Sequence, residues 1–183
     1  MGKVSAAIDE SIRQFIQAQH VFFVGSAPLD LDGHINLSPK GLDTFRILGP
    51  TTVAYLDLTG SGIETVAHLK ENGRITLMFC AFQGPPNILR LYGIGRSVEP
   101  HQPEFAELAG HFPEYDGIRS VIVVEISRIA DSCGYAVPLL RYEGERTQLT
   151  AWAGKKGVEG LKTYRAQKNQ ESIDGLPGLP PAE

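Results

Sequence analysis

His34-Ile-Asn-Leu-Ser-Pro-Lys-Gly41 reads as an alternating strand that runs into a turn carrying a hydroxyl, a cation and a glycine. Tyr55-Leu-Asp-Leu-Thr-Gly-Ser-Gly62 repeats the design, with a strand of alternating character, a turn of small donors and then a helical pattern. Two such turns can face one anion. Backbone N–H groups at a helix start attract negative charge, and glycine lets a ligand approach the main chain closely. The two corners therefore supply the candidate binding residues Ser38, Pro39, Lys40, Gly41, Asp57, Thr59, Ser61 and Gly62.

Outward from these corners, short β signals recur at 20–27, 33–39, 44–48, 52–58, 74–82, 88–98 and 120–130. Helical patterns are expected at 5–18, where Ile8, Ile12, Phe15 and Ile16 share a face, and at 62–72 and 103–111. Strands this dense, with helices interrupting rather than alternating, predict a mainly β (α+β) fold. The expected architecture is a six- to seven-stranded antiparallel barrel or sandwich with flanking helices, not a doubly wound parallel sheet. After Val137 the composition turns polar, and 145–156 and 158–169 read as two helices broken near Gly157. The tail from Gln170 is rich in Gly and Pro. It reads either as a disordered end or as an extended segment lying in a groove, on its own chain or across a partner subunit, through Ile173, Leu176 and Leu179.

Composition narrows the function classes. A chain of 183 residues with 42% hydrophobic residues, 21% charged residues and a net charge of −4 fits one soluble domain, 1–183, with the barrel at about 20–130. It lacks the basic excess that nucleic acid demands. No segment reaches the length of a membrane span, the N-terminus has no apolar leader, and a cytoplasmic home is expected. Cys80 and Cys133 have no Cys-x-x-Cys spacing, and the five histidines show no paired ligand spacing, so no metal is expected. Thr59-Gly-Ser-Gly-Ile lacks the flanks of a nucleophile elbow.

The ordered series Asn36-x-Ser-Pro-Lys-Gly41, Thr59-Gly-Ser-Gly62, Arg74-Ile-Thr-Leu-Met-Phe and Asn87-Ile-Leu-Arg-Leu-Tyr-Gly-Ile-Gly-Arg96 resembles the pyridoxamine 5'-phosphate oxidase-like flavoproteins. Ser132-Cys-Gly-Tyr-Ala-Val-Pro138 and Lys168-Asn-x-x-Ser-Ile-Asp-Gly-Leu-Pro-Gly178 look like marks of one subgroup. The resemblance implies a split β-barrel with a helical C-terminal region. It further implies a homodimer with FMN held non-covalently at the subunit interface, and two-electron chemistry with a small organic molecule or NAD(P)H. No catalytic side chain is assigned.

Where that family sets phosphate-clamping cations after a serine, this chain has Gly62 and Ile63. The phosphate charge then falls to backbone donors, Ser61, and Lys40 or Arg90. Thr59 or Ser61 can alternatively cap the next helix, Ser38 its own turn, and Lys40 or Arg90 be ordinary solvated charges. Cys133 reads as packing or as a flavin neighbour, and Trp152 as an anchor for the polar helices or a cover for the cleft. The family's C-terminal arginine and histidine pair has no counterpart in Ser172–Glu183, which implies a different substrate. A non-catalytic flavin-binding or sensing protein, or a barrel holding haem or a deazaflavin, is the other expectation.

Overall fold

Alternation along each strand becomes an inside and an outside once the strands pair, and pairing here is antiparallel throughout. The computed structural model describes residues 2–180. In chain order the elements are β1 (Val4–Ser5), α1 (Glu10–Gln17), β2 (Phe22–Ser26), β3 (Asn36–Lys40), β4 (Phe45–Ile47), β5 (Thr52–Leu58) and α2 (Glu64–Glu71). They continue with β6 (Arg74–Cys80), β7 (Ile88–Val98), α3 (Phe105–Ala109), β8 (Ile118–Ser132) and α4 (Gln148–Lys168). Seven strands form one antiparallel half-barrel sheet in the order β3-β2-β6-β7-β8-β5-β4, and β1 adds to β8.

The concave face closes over Val24, Leu77, Leu91, Tyr55 and Ile122, with Val66 and Leu69 of α2 packed among them. A second cluster, Ala54, Leu56, Val98, Val121 and Phe112, lies against Phe105 and Leu108 of α3. β5 is therefore covered on both sides, and Val53 through Asp57 are all buried. That continuous burial departs from the expected alternation, because α3 and its flanking residues shield the face that would otherwise meet water.

All seven expected strands are present, β5 and β7 at the expected bounds. The first helix is shorter than 5–18. Asp9 caps it by accepting from Ile12 N at 2.9 Å, and the residues before Asp9 include β1, paired with Ile129 and Ala130. The two polar helices form one run, Gln148–Lys168, interrupted at Gly157, whose φ of 64° and ψ of 177° are non-helical. A side chain would be strained in that left-handed region of φ, so glycine sits where the axis breaks.

The tail is not a disordered end through Pro180. Gly175 N donates to Ser172 O, Ser172 N to Leu176 O, and Glu171 bridges Pro177, which makes a small turn. The turn lies on its own chain: Lys70 Nζ donates to Gly178 O at 2.5 Å, Leu179 packs on the core, and Asp174 Oδ1 sits 2.6 Å from His34 Nδ1. A β-carbon at Gly178 would run into Asn169 O and Ile63. The last three residues of the tail, 181–183, fall outside the described residues.

Candidate functional site

Asp57, near the end of β5, is 1% exposed and sits against Arg119 of β8. The guanidinium grips both carboxylate oxygens at 2.8 and 3.1 Å, Ser120 Oγ adds a bond at 3.3 Å, and Lys40 Nζ of β3 approaches to 3.7 Å. Burial alone drives this carboxyl upward. The charges of Arg119 and Lys40, with the hydrogen bonds from Arg119 and Ser120, outweigh it and hold Asp57 below the ordinary range.

Arg119 also reaches the turn that follows. It donates to Gly62 O at 2.7 Å and Gly60 O at 3.4 Å, while Asn169 Nδ2 donates to Gly60 O at 3.0 Å and Ser61 O at 3.4 Å. Arg165 of α4 donates to Thr59 Oγ1 at 2.9 Å, and Thr59 in turn donates to Gly117 O through both its hydroxyl and its N–H. Burial, foremost, and then repulsion by Arg119 lower the Arg165 pKa. Neither Thr59 nor Ser61 caps α2, whose N-cap is Ile63 with no side-chain bond.

The carbonyls of Gly60, Ser61 and Gly62 are thus consumed from the protein side, whereas their N–H groups donate to no described group. The Glu64 carboxylate leans over Gly62, and space is open around Gly60, so the available anion donors are the Gly60 and Ser61 amides with the exposed Ser61 hydroxyl.

A cleft of about 1280 Å³ opens beside this turn. Pro39, Lys40, Gly41 and Thr59 line it, together with Gly60. Asp57 stands behind Lys40, and Ser61 and Gly62 continue the turn at the exposed rim without lining the cleft. The Ser38 hydroxyl is buried with no partner among the described residues and is not on the cleft wall. Arg90 is on β7, where it donates to Ser132 Oγ at 3.0 Å, and does not line the cleft. Cys133 is exposed and also not on the wall, while Cys80 is buried, which raises its thiol pKa. Trp152 packs edge-on against Tyr164, bracing α4 across its break.

Another part of the wall is a strap, residues 139–146, that sequence reasoning passed over. Leu140 N donates to Phe82 O at 2.9 Å, and the Tyr142 ring stacks on His20 at 3.6 Å and 8°. Tyr142 donates its hydroxyl to Glu145 Oε1 at 2.9 Å, a bond that raises the phenol pKa, and Leu42 N donates to Glu145 Oε2 at 3.2 Å. Arg141 and Arg146 line the cleft from this strap. Arg119 was detectable as the single charge inside the apolar run Ile118-Arg-Ser-Val-Ile-Val-Val, and Asn169 lay in a motif already singled out. The strap arginines carry no such signal.

Among the described residues no group of three potential metal ligands occurs, and no helix is long and apolar enough to cross a membrane. The sequence profile of pyridoxamine 5'-phosphate oxidase matches residues 8–133. The chain is 40% identical over 190 aligned positions to the pyridoxamine 5'-phosphate oxidase family protein ustO of Aspergillus flavus, covering 94% of this chain and 76% of that one. In overall shape it is similar to the H111A variant of HupZ of Group A Streptococcus, with TM-score 0.52, 19% identity and coverage of 68% and 99% of the two chains. It is also similar to a Clostridium acetobutylicum protein of the pyridoxinephosphate oxidase family, related to general stress protein 26, with TM-score 0.52, 16% identity and coverage of 69% and 91%. An FAD-binding protein of Mesorhizobium loti aligns with TM-score 0.50 and 9% identity, covering 72% of this chain and 96% of that one.

Proposed function

Because the chain belongs to the pyridoxamine 5'-phosphate oxidase family, we propose that its cleft holds FMN non-covalently and that the protein is an FMN-dependent oxidoreductase. Two electrons would pass between a small organic or nicotinamide donor and an acceptor. The observation that carries this reading is the turn at 59–62, whose Gly60, Ser61 and Gly62 carbonyls are tied inward by Arg119 and Asn169 while the Gly60 and Ser61 amides stay open beside a cation-walled cleft.

The residues present fit the group. A cleft of about 1280 Å³ exceeds the about 300–1,000 Å³ of ordinary small-ligand sites, leaving room for a cofactor and a second molecule. The Gly60 and Ser61 amides, the Ser61 hydroxyl and Lys40 would hold the phosphate, in place of the cations replaced by Gly62 and Ile63. When bound, FMN supplies hydride acceptance and two-electron storage. The chain's own part is to bind, orient and exclude water. Asp57 pins the Lys40 ammonium at the wall, so its charge is fixed before any ligand arrives. Phe23, Leu56 and Leu58 give the same cleft an apolar side against which a flat ring can lie.

A homodimer belongs to this reading. On the edge strand β3, Leu37 is 66% exposed, and Ile35 just before it is 79% exposed. An apolar sheet edge of this kind is ordinarily covered.

The test is the visible spectrum of freshly purified protein, followed by mass identification of what heat releases. Flavin absorption with FMN released supports the cofactor, and steady-state oxidation of NADH, NADPH or a member of a small donor panel supports the enzyme. Tight FMN binding without turnover across that panel would make the chain a flavin-binding or sensing protein, and released haem or deazaflavin would replace the reading altogether. Lys40→Ala should weaken FMN retention about tenfold, the effect of removing one charge-assisted contact. Unchanged FMN affinity in that variant removes Lys40 from the site.

A further inference from the structure

Cations outnumber carboxylates on the cleft wall: Lys40, Arg141 and Arg146 face a single acid, Glu145, in a chain whose net charge is −4. Lys40 is committed to Asp57. No hydrogen bond or ion pair joins Arg141 or Arg146 to another described residue. Yet neither arginine hangs on a loose loop. Arg141 sits between Leu140, whose N–H is bonded to Phe82 O, and Tyr142, whose ring is stacked on His20. Arg146 follows Glu145, whose two oxygens are taken by the Tyr142 hydroxyl and the Leu42 amide. The strap therefore presents two unmatched guanidinium groups from anchored neighbours, and a guanidinium fork suits planar anions bound bidentately.

From this geometry we infer that the strap is a substrate clamp, and that the second molecule in the cleft is an organic carboxylate held by Arg141 and Arg146. The assignment rests on the flavin reading of the cleft, because it leaves the 59–62 turn and Lys40 to the cofactor's phosphate. A carboxylate suits the clamp better than a phosphate ester. Glu145 lines the same cleft, and a dianion beside it meets about twice the repulsion that a monoanion does. Aromatic or flat substrates suit it further, since His20, Tyr142 and Phe82 are wall residues. The clamp lies outside residues 8–133, the part that matches the family profile.

The experiment is calorimetric titration of the protein as purified, with whatever cofactor it carries, using benzoate, phenyl phosphate and benzyl alcohol as probes. The same titrations are run on Arg141→Ala/Arg146→Ala. Both side chains are exposed, so their truncation leaves the core intact, and circular dichroism checks this. The expected result is saturable benzoate binding, at least about tenfold tighter than benzyl alcohol, and weakened about tenfold or more in the double variant with FMN content unchanged. Equal benzoate binding by both proteins overturns the clamp, as does equal binding of the neutral alcohol. Tighter binding of phenyl phosphate than of benzoate overturns the carboxylate assignment. Loss of FMN in the double variant also overturns the clamp, giving the arginines to the cofactor while the flavin reading stands. Protein purified without flavin defeats the functional reading instead, and the titrations on it still decide whether the arginines bind a carboxylate.

Discussion

The two walls of the cleft are built on opposite physical plans. At the 59–62 turn, two charged groups and an amide side chain meet almost out of water: Asp57 is 1% exposed, Arg119 5% and Asn169 wholly buried. The strap, in contrast, is exposed nearly end to end and depends on one ring stack and three hydrogen bonds. A buried ion network has one acceptable arrangement, because any member left alone is a desolvated charge. An exposed strap tolerates many. The first wall therefore suits an invariant anchor such as a cofactor's phosphate, and the second suits a partner that varies.

Breaking the rigid wall should have the largest effect. Arg119→Met strands the Asp57 carboxylate in the interior and frees the Gly62 carbonyl, and it should cost about 3–5 kcal/mol in denaturant unfolding. Asp57→Leu added to Arg119→Met should recover most of that loss, since replacing a whole buried pair by apolar groups is often neutral. FMN retention should stay poor in the double variant, because the turn has lost its ties to Arg119 and keeps only those to Asn169. A double variant as unstable as the single one would mean that the network, not the isolated charge, carries the stability.

The same pair gives a pH signature. The folded Asp57 carboxyl is held below the ordinary value of 3.8, so its contribution to stability is fully present above that value. As pH falls, the unfolded chain takes up the proton first, and the advantage drains away until the folded carboxyl also protonates. Urea midpoints measured down to about pH 2 should show the wild-type lead over Asp57→Leu/Arg119→Met shrinking below about pH 4. A lead that stays constant with pH would show that Asp57 keeps an ordinary pKa in the fold.

Much of this was legible in the sequence, for a local reason. Strand alternation, the Gly157 break and the turns that end β3 and β5 are set by residues within a few positions of each other, and β5 and β7 stand where the pattern puts them. What sequence reading missed is non-local. Arg119 meets Asp57 across 62 positions, and Asn169 meets Gly60 across 109, so no window of sequence holds both partners. The strap was invisible for a different reason: its anchors are single contacts with no periodicity. The tail shows the limit of composition, since a Gly- and Pro-rich end folds once Lys70 and Asn169 supply partners for its backbone.

The docked tail belongs with the rigid wall, and a smaller change tests that. Gly178→Ala sets a methyl against Asn169 O and Ile63, in a place with no room to give. Overpacking of this kind costs about 1–3 kcal/mol. Because Asn169 is also a tie to the turn, faster hydrogen exchange should spread from the tail to residues 59–62. Exchange confined to residues beyond 170 would show that the tail is fastened to the body without bracing the site.

The smallest effect on stability should come from the strap. Tyr142→Ala removes the ring stacked on His20 and the hydroxyl held by Glu145, both at the surface, and an aromatic pair contributes about 0.5–1.5 kcal/mol at best. The unfolding midpoint should hardly move. Hydrogen exchange over 139–146 should nonetheless rise toward that of a free loop, since Leu140 N and the Leu42 contact to Glu145 become the remaining attachments. Benzoate affinity should fall several-fold with FMN retention untouched, through the ordering entropy that the strap must then give up on binding. A variant that loses FMN together with its mobile strap would collapse the distinction between the walls, because the exposed side would then be holding the cofactor as firmly as the buried one.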